Sequence, residues 1–180
     1  KEGKELLLYM GRNFIRGRGM DFTLEMLKYL PEHYFLIIFG CSNNKEIQML
    51  QKIFKAKNID HRIKTFKFAS LSDLYHLRSY FSYGLSMIEP IYFSYNYSLP
   101  NKLFEYIMMD LPVIASDIPE QKKIVNAYNL GIVAELESPV ITAQKLLSMG
   151  SNQYHGLEDA RKALSWENEK QKLLNIYQDN

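Results

Sequence analysis

The sequence predicts an α/β fold, a doubly wound and mostly parallel sheet of about six strands with helices on both faces. Two patterns carry this prediction. Short apolar runs alternate with longer segments whose apolar residues recur every three or four positions, from Leu6 to Ala134, which is strand and amphipathic helix in turn. Glycine, proline or a capping residue punctuates most junctions. Composition agrees, since 180 residues with 47% hydrophobic and 23% charged side chains suit one ordinary domain with a buried core.

Taken in order, Leu6-Leu7-Leu8-Tyr9-Met10 is a buried strand ending at Gly11. A loop with three arginines and three glycines in nine residues follows, Gly11 to Gly19. Asp21 is placed to cap a helix carrying Leu24, Leu27 and Leu30, and Pro31 ends it. Tyr34 to Phe39 is the second strand, closed by Gly40. Asn44 to Lys57 is a helix with Ile47, Leu50, Ile53 and Phe54 inward. Arg62 to Phe68 reads as a strand through Ile63, Phe66 and Phe68, and Ser72 opens a short helix with Leu74 and Leu77. Tyr83 to Ile88 is the fourth strand, and Glu89 to Tyr97 a long loop.

The most informative stretch is Ser98 to Asp117. Ser98 can cap a helix and Pro100 suits its first turn. Leu103, Phe104, Ile107 and Met108 form its buried stripe, with Lys102 and Glu105 on another face. Asp110-Leu111-Pro112 stops it before the strand Val113-Ile114-Ala115. Pro119 to Tyr128 is a helix, Ile132 to Ala134 a strand, and Pro139 to Met149 a helix. After the loop Gly150-Ser151-Asn152, helices run from Leu157 to Leu164 and, capped by Ser165, from Trp166 to Tyr177.

Several classes are excluded at this level. No apolar run approaches the roughly 20 residues of a membrane span, and the charged start lacks a signal-peptide pattern, so a soluble chain is expected. A net charge of +2 with interspersed signs offers no nucleic-acid footprint. The single cysteine, Cys41, excludes an internal disulfide and fits a reducing compartment. The thirteen tyrosines and ten phenylalanines read as core packing. There is no Asp-x-Asp pair, and His33, His61, His76 and His155 lack metal-ligand spacing, so no metal is expected.

In a doubly wound sheet the ligand crevice lies outside the carboxyl ends of the strands. Arg12 and Arg18 follow strand one, Cys41 and Ser42 strand two, Ala69 and Ser70 strand three, and Ser98 to Glu105 strand four. The start of the helix near Pro100 presents free N–H groups and a positive dipole end, which suits phosphate. The arginine loop is neither a Walker loop nor GxGxxG, because its glycines are spaced Gly-x5-Gly-x-Gly with no Lys-Ser or Lys-Thr after them. Arg16 reads as simply exposed.

The runs SLPNKLFEY and LPVIASD, with Gly11-Arg12, Arg18-Gly19 and Ser165-Trp166-Glu167, resemble the donor-binding domain of the retaining glycosyltransferases of family 4. These are also called glycosyl transferases group 1 and have the GT-B fold of two Rossmann-like domains. The resemblance implies that Arg12 and Arg18, next to Gly11, hold the donor diphosphate and stabilise the charge developing on it. It implies that the helix start, from Ser98 through Leu99, Pro100, Asn101 and Lys102, receives the same group, and that Glu105 binds the ribose hydroxyls. Phe68, Ala69 and Ser70 then clamp the base. Tyr97 stands where the family has a glutamate that contacts the transferred sugar, a departure from the pattern. The cations would replace a metal, so the donor, a nucleotide-diphosphate sugar, needs no cofactor.

The resemblance runs from Leu6 to Tyr177 but covers only the C-terminal half of such an enzyme. The N-terminal acceptor domain is therefore expected to be absent, the chain being a fragment or one partner of a split enzyme that does not turn over alone. The acceptor would be a glycan or lipid-linked molecule in cell-surface polysaccharide biosynthesis. The location would be the cytoplasm, with peripheral membrane association through the missing domain. The last helix, with Trp166, Leu173, Leu174 and Tyr177, would keep an exposed apolar face. A sugar-nucleotide epimerase of the same architecture, and a binding or scaffolding module without catalysis, are the alternatives. A phosphate-receiver domain would want an acidic cluster after strands one and three.

Overall fold

The computed structural model describes residues 3–12, 14, 17–150 and 153–178. The expectation for Arg16, and that for the loop at Ser151 and Asn152, lie outside the described residues. The strands are β1 (Glu5–Met10), β2 (Tyr34–Cys41), β3 (Ile63–Lys67), β4 (Tyr83–Ser86), β5 (Val113–Ser116) and β6 (Gly131–Ala134). The helices are α1 (Met20–Lys28), α2 (Asn44–Ala56), α3 (Leu71–His76), α4 (Asn101–Met108), α5 (Pro119–Ala127), α6 (Pro139–Ser148), α7 (Leu157–Ala163) and α8 (Trp166–Gln178).

All strand pairs are parallel, in the order β3-β2-β1-β4-β5-β6. Chain direction across the sheet reverses between β1 and β4, which makes their carboxyl ends the crevice of a doubly wound fold. Alternation along β1 sorts the core into two layers. Leu7 and Tyr9 pack with Leu24, Leu27, Leu50, Phe54 and Leu146 from α1, α2 and α6. Leu8 and Met10 pack with Leu74, Leu103, Tyr106, Val125 and Ala160 from α3, α4, α5 and α7. Helices thus cover both faces. No described helix is long and apolar enough to cross a membrane.

The seam between β1 and β4 is held by a side chain. The two strands pair at Leu7↔Tyr83 and Leu8↔Gly84. Beyond that point the Tyr106 hydroxyl accepts from the Met10 N–H at 2.9 Å and reaches the Leu8 and Leu85 carbonyls at 3.1 and 3.4 Å. The ring lies flat enough on β4 that a Cβ on Gly84 would come within 2.4 Å of it. Gly40 shows a second close approach. Its φ is 125°, and a Cβ there would sit 1.9 Å from the Gly11 carbonyl, so β2 runs through this glycine to Cys41 instead of closing before it.

Other local expectations are corrected. Asp21 does not cap α1. The chain turns at Gly19 with φ 68°, the helix starts at Met20, and Asp21 sits inside the first turn. Ser72 does not open α3. Ser70 does, its hydroxyl accepting from the Asp73 N–H at 3.1 Å while Asp73 accepts from the Ser70 N–H at 3.2 Å, a reciprocal capping box. Leu77 is exposed. Phe66 and Phe68 are exposed as well, because β3 is an edge strand; Phe66 stacks on Phe39 with centroids 5.0 Å apart. Nor are all aromatics core, since Tyr92, Phe93 and Tyr97 stand on the surface around a 3-10 turn over Phe93–Tyr97. Ser165 caps α8 through the Asn168 N–H, and Trp166, Leu173, Leu174 and Tyr177 are exposed along it.

Two substitutions test these assignments by urea unfolding. Tyr106→Phe strands the buried Met10 N–H and is expected to cost about 1–3 kcal/mol, seen as a lower midpoint at unchanged m. Ser70→Ala is expected to cost about 0.5–2 kcal/mol through loss of the cap; an unchanged midpoint would remove the capping role.

Candidate functional site

At the carboxyl ends of β1, β2 and β3, facing the start of α4, lies a cleft of about 550 Å³. Its wall brings together Gly11, Arg12, Arg18, Phe68, Ala69, Leu99, Pro100, Asn101, Lys102 and Glu105. Four separate chain segments contribute, each arriving at the end of a strand, which is why residues far apart in sequence meet here.

The first segment follows β1. At its far end the Tyr9 hydroxyl donates to the Arg18 carbonyl at 2.8 Å from a buried position on the strand. The Arg12 guanidinium lies 5.5 Å over the Phe68 ring. Neither arginine has a carboxylate within ion-pair distance among the described residues.

The second contribution is the N-terminus of α4. The helix starts at Asn101, with Pro100 at the cap in extended conformation (ψ 141°) and no side-chain cap. The expected cap is corrected here, because the Ser98 hydroxyl donates to the Tyr95 carbonyl at 2.9 Å and closes the preceding 3-10 turn. The first intrahelical donor is the Leu103 N–H, which bonds the Pro100 carbonyl at 3.0 Å. The N–H groups of Asn101 and Lys102 keep the open positions of the first turn. The buried stripe of α4 is also revised, with Leu103, Tyr106 and Ile107 fully buried and Phe104 and Met108 only half so. Asp110 ends the helix at φ 53°, the Leu111 N–H bonding the Tyr106 carbonyl at 3.0 Å and the Asp110 N–H the Ile107 carbonyl.

Lys102 and Glu105 share the cleft face of α4. The Lys102 ammonium donates to the Met87 carbonyl at 2.8 Å and lies 4.8 Å over the Tyr9 ring. Burial first, and the Arg18 charge second, push its pKa down to about 7, with Glu105 opposing. Burial raises the Glu105 carboxyl above the ordinary value, partly countered by Lys102. Burial likewise raises the Tyr9 and Tyr106 hydroxyls, which stay neutral donors.

Three predicted site residues lie outside this wall. Ser70 commits its N–H and hydroxyl to Asp73. Ser98 closes the 3-10 turn, and Tyr97 is 61% exposed with its ring 5.3 Å from that of Phe93. Conversely, Tyr9, Met10, Phe39, Gly40, Leu71 and Leu74 line the cleft without having been singled out. Their signal was present for β1 and β2, whose last residues must border a carboxyl-end crevice.

A second cleft, of about 630 Å³, is walled by acidic residues, Asp21, Glu25, Glu89, Asp117, Glu135 and Glu137. No group of three or more His, Cys, Asp or Glu side chains among the described residues is arranged to hold a metal ion.

Residues 4–152 match the family described as Glycosyl transferases group 1. A comparison with curated proteins finds no match. Solved structures of similar fold include WaaG, a glycosyltransferase involved in lipopolysaccharide biosynthesis, at 20% identity over 91% of this chain and 43% of that one (TM-score 0.68). The lipopolysaccharide outer core galactosyltransferase WaaB, apo form, is similar at 13% identity over 98% and 50% (TM-score 0.76). Anabaena Alr3699/HepE in complex with UDP and glucose is similar at 12% identity over 99% and 49% (TM-score 0.72). The likeness is one of fold. The chain spans half or less of the length of these three structures.

Proposed function

The chain belongs to the group 1 glycosyltransferases, and from that premise we propose that it is the donor-binding domain of a GT-B enzyme that takes a nucleotide-diphosphate sugar. The observation that carries this reading is the meeting of two unpaired guanidinium groups and an open helix N-terminus in one cleft. Each of the three prefers a phosphate group, and together they outline a site for a diphosphate. Glu105, one turn into α4, is then in reach of the ribose hydroxyls, and Phe68 and Ala69 offer the base an apolar edge and a backbone segment. Ser70 takes no part, since its polar groups are spent on the cap.

In the proposed reaction the bond between the sugar's anomeric carbon and the diphosphate oxygen breaks with the electron pair staying on the diphosphate, while the acceptor hydroxyl oxygen bonds to that carbon from the same face and passes its proton to the departing diphosphate. Arg12, Arg18 and the α4 amides stabilise that growing charge from fixed positions, which accelerates the step more than equal binding of the intact donor would. The transfer is metal-independent and retaining, and the acceptor is a glycan or lipid-linked molecule presented by an N-terminal domain. Assembly of a cell-surface polysaccharide at the cytoplasmic face of a membrane is the setting this chemistry suits. Alone, the domain binds donor without transferring it.

Titration calorimetry with UDP, GDP and ADP tests the reading. One diphosphate is expected to bind equally well with and without EDTA. Arg12→Ala and Arg18→Ala are each expected to weaken it by about 1.5–3 kcal/mol, roughly tenfold to 150-fold. Unchanged affinity in both variants would remove the phosphate assignment, and loss of binding in EDTA would remove metal independence.

A further inference from the structure

Arg18 stands between two glycines that are buried although they lie in a loop. Gly17 and Gly19 have φ of 70° and 68°, and Arg18 between them is half-buried at the cleft wall. All three carbonyls are taken. The Glu89 N–H donates to Gly17 at 3.2 Å, the Tyr9 hydroxyl to Arg18 at 2.8 Å, and the Thr23 N–H and hydroxyl to Gly19 at 2.9 and 2.7 Å. What buries the glycines is the segment after β4. A Cβ on Gly19 would meet the Met87 Cβ at 2.4 Å, and one on Gly17 would meet the Tyr95 Cε2 at 2.9 Å and the Ile91 Cδ1 at 3.0 Å.

Tyr95 has a second attachment. Its carbonyl accepts from the Ser98 hydroxyl at 2.9 Å and the Ser98 N–H at 3.3 Å, which closes the turn that delivers the chain to Pro100 and α4. One residue therefore touches both halves of the first cleft, the arginine loop through its ring and the approach to α4 through its backbone. The Tyr92 ring, with centroids 5.3 Å apart, braces the Tyr95 ring edge-on. Tyr95 lines neither cleft, so any effect it has on a ligand passes through what it holds.

We propose that Tyr95 is a positioning residue of the diphosphate site, its ring acting with Ile91 as a stop against Gly17 that sets where Arg18 stands relative to the first turn of α4; the proposal rests on the donor-site reading above. Without the ring, space opens beside a glycine that has no Cβ to restrict it. The bonds to the three carbonyls still tether the loop, but the peptide planes on either side of Arg18 are free to rock. Arg18 then samples more positions in the empty cleft, and a diphosphate must order it on binding, at a cost in affinity. Guanidinium–phosphate hydrogen bonds are directional, so a small shift is enough to weaken them.

The experiment is titration calorimetry of the 180-residue chain with UDP, GDP and ADP, arranged as a double-mutant cycle. For the nucleotide that binds, Tyr95→Ala is expected to weaken binding about tenfold, near the middle of the range for coupled neighbours. Tyr95→Phe keeps the ring and is expected to bind within about twofold of wild type. In an Arg18→Ala background, Tyr95→Ala is expected to add less than about twofold, because the group it positions is gone. A role in folding alone would lower the urea midpoint without making the effect on affinity depend on Arg18. Ile91→Ala, at an exposed residue, removes the other half of the stop. It is expected to weaken binding about threefold and carries the same cycle if Tyr95→Ala does not fold.

Wild-type affinity in Tyr95→Ala would overturn the proposal while leaving the donor site standing. So would the full loss persisting in the Arg18→Ala background. Unchanged affinity in Arg18→Ala itself would remove Arg18 from the site, and the role of Tyr95 with it. Absence of binding by all three nucleotides would overturn the donor-site reading and everything that rests on it.

Discussion

The placement of the cleft depends on one hydroxyl. Parallel strands at a switch point must diverge to open a crevice, and divergence leaves peptide groups in the seam without partners. Tyr106 resolves this by reaching from α4 between β1 and β4 and taking over the hydrogen bonding of Met10, Leu8 and Leu85. Because the same side chain belongs to the helix, satisfying the seam also fixes the rotation and height of α4 against both strands. Its first turn then has one place to point, toward the loop after β1. Gly84 is the complement of this arrangement, since any larger residue would push the ring, and with it the helix, off the sheet.

Electrostatics then separates these two clefts. Around the second, Glu25 is tied to Lys28 and Lys57, Asp117 to Lys122 and Glu135 to Lys145, so much of its charge is already neutralised within the protein. Around the first, Arg12, Arg18 and Lys102 converge with no carboxylate in ion-pair distance among the described residues, Glu105 acting on Lys102 only from farther away. Converging like charges raise the free energy of the empty protein, and burial together with the Arg18 charge lowers the Lys102 pKa.

Much of this was legible from sequence, and the failures have physical causes. The alternation of strands and helices, the two-faced sheet and the convergence of Arg12, Arg18 and Glu105 follow from periodicity and from where each residue stands relative to a strand end. Capping was less legible. Asp21, Ser72 and Ser98 are all good caps by type, yet a cap is selected by backbone geometry. Gly19 in the left-handed region, Ser70 opposite Asp73, and the 3-10 turn ending before Ser98 decided the matter locally. Tyr106 was passed over because a tyrosine on a helix carries no sign of whether its hydroxyl meets water or a strand seam. Phe66 and Phe68 misled for a related reason: alternation reveals a strand but not whether it lies at the edge of the sheet, and strand order is a long-range property.

The two arginines hold their charge in different ways, and the difference bears on how the cleft works. Arg18 is part of a backbone segment anchored by the Tyr9 hydroxyl at its own carbonyl, so the position of its Cα is set by the core of the sheet. Arg12 is exposed and leans on Phe68, itself an exposed residue just beyond an edge strand. A planar guanidinium resting on a ring keeps its N–H edge free for hydrogen bonding while losing some rotational freedom in advance. Arg18 is thus preorganised through the backbone and Arg12 through its side chain, by a contact that a ligand's base could share or displace at Phe68. In the donor site we propose, this contact would couple recognition at the base end of the donor to the placement of a cation at its phosphate end, with Phe68 common to both.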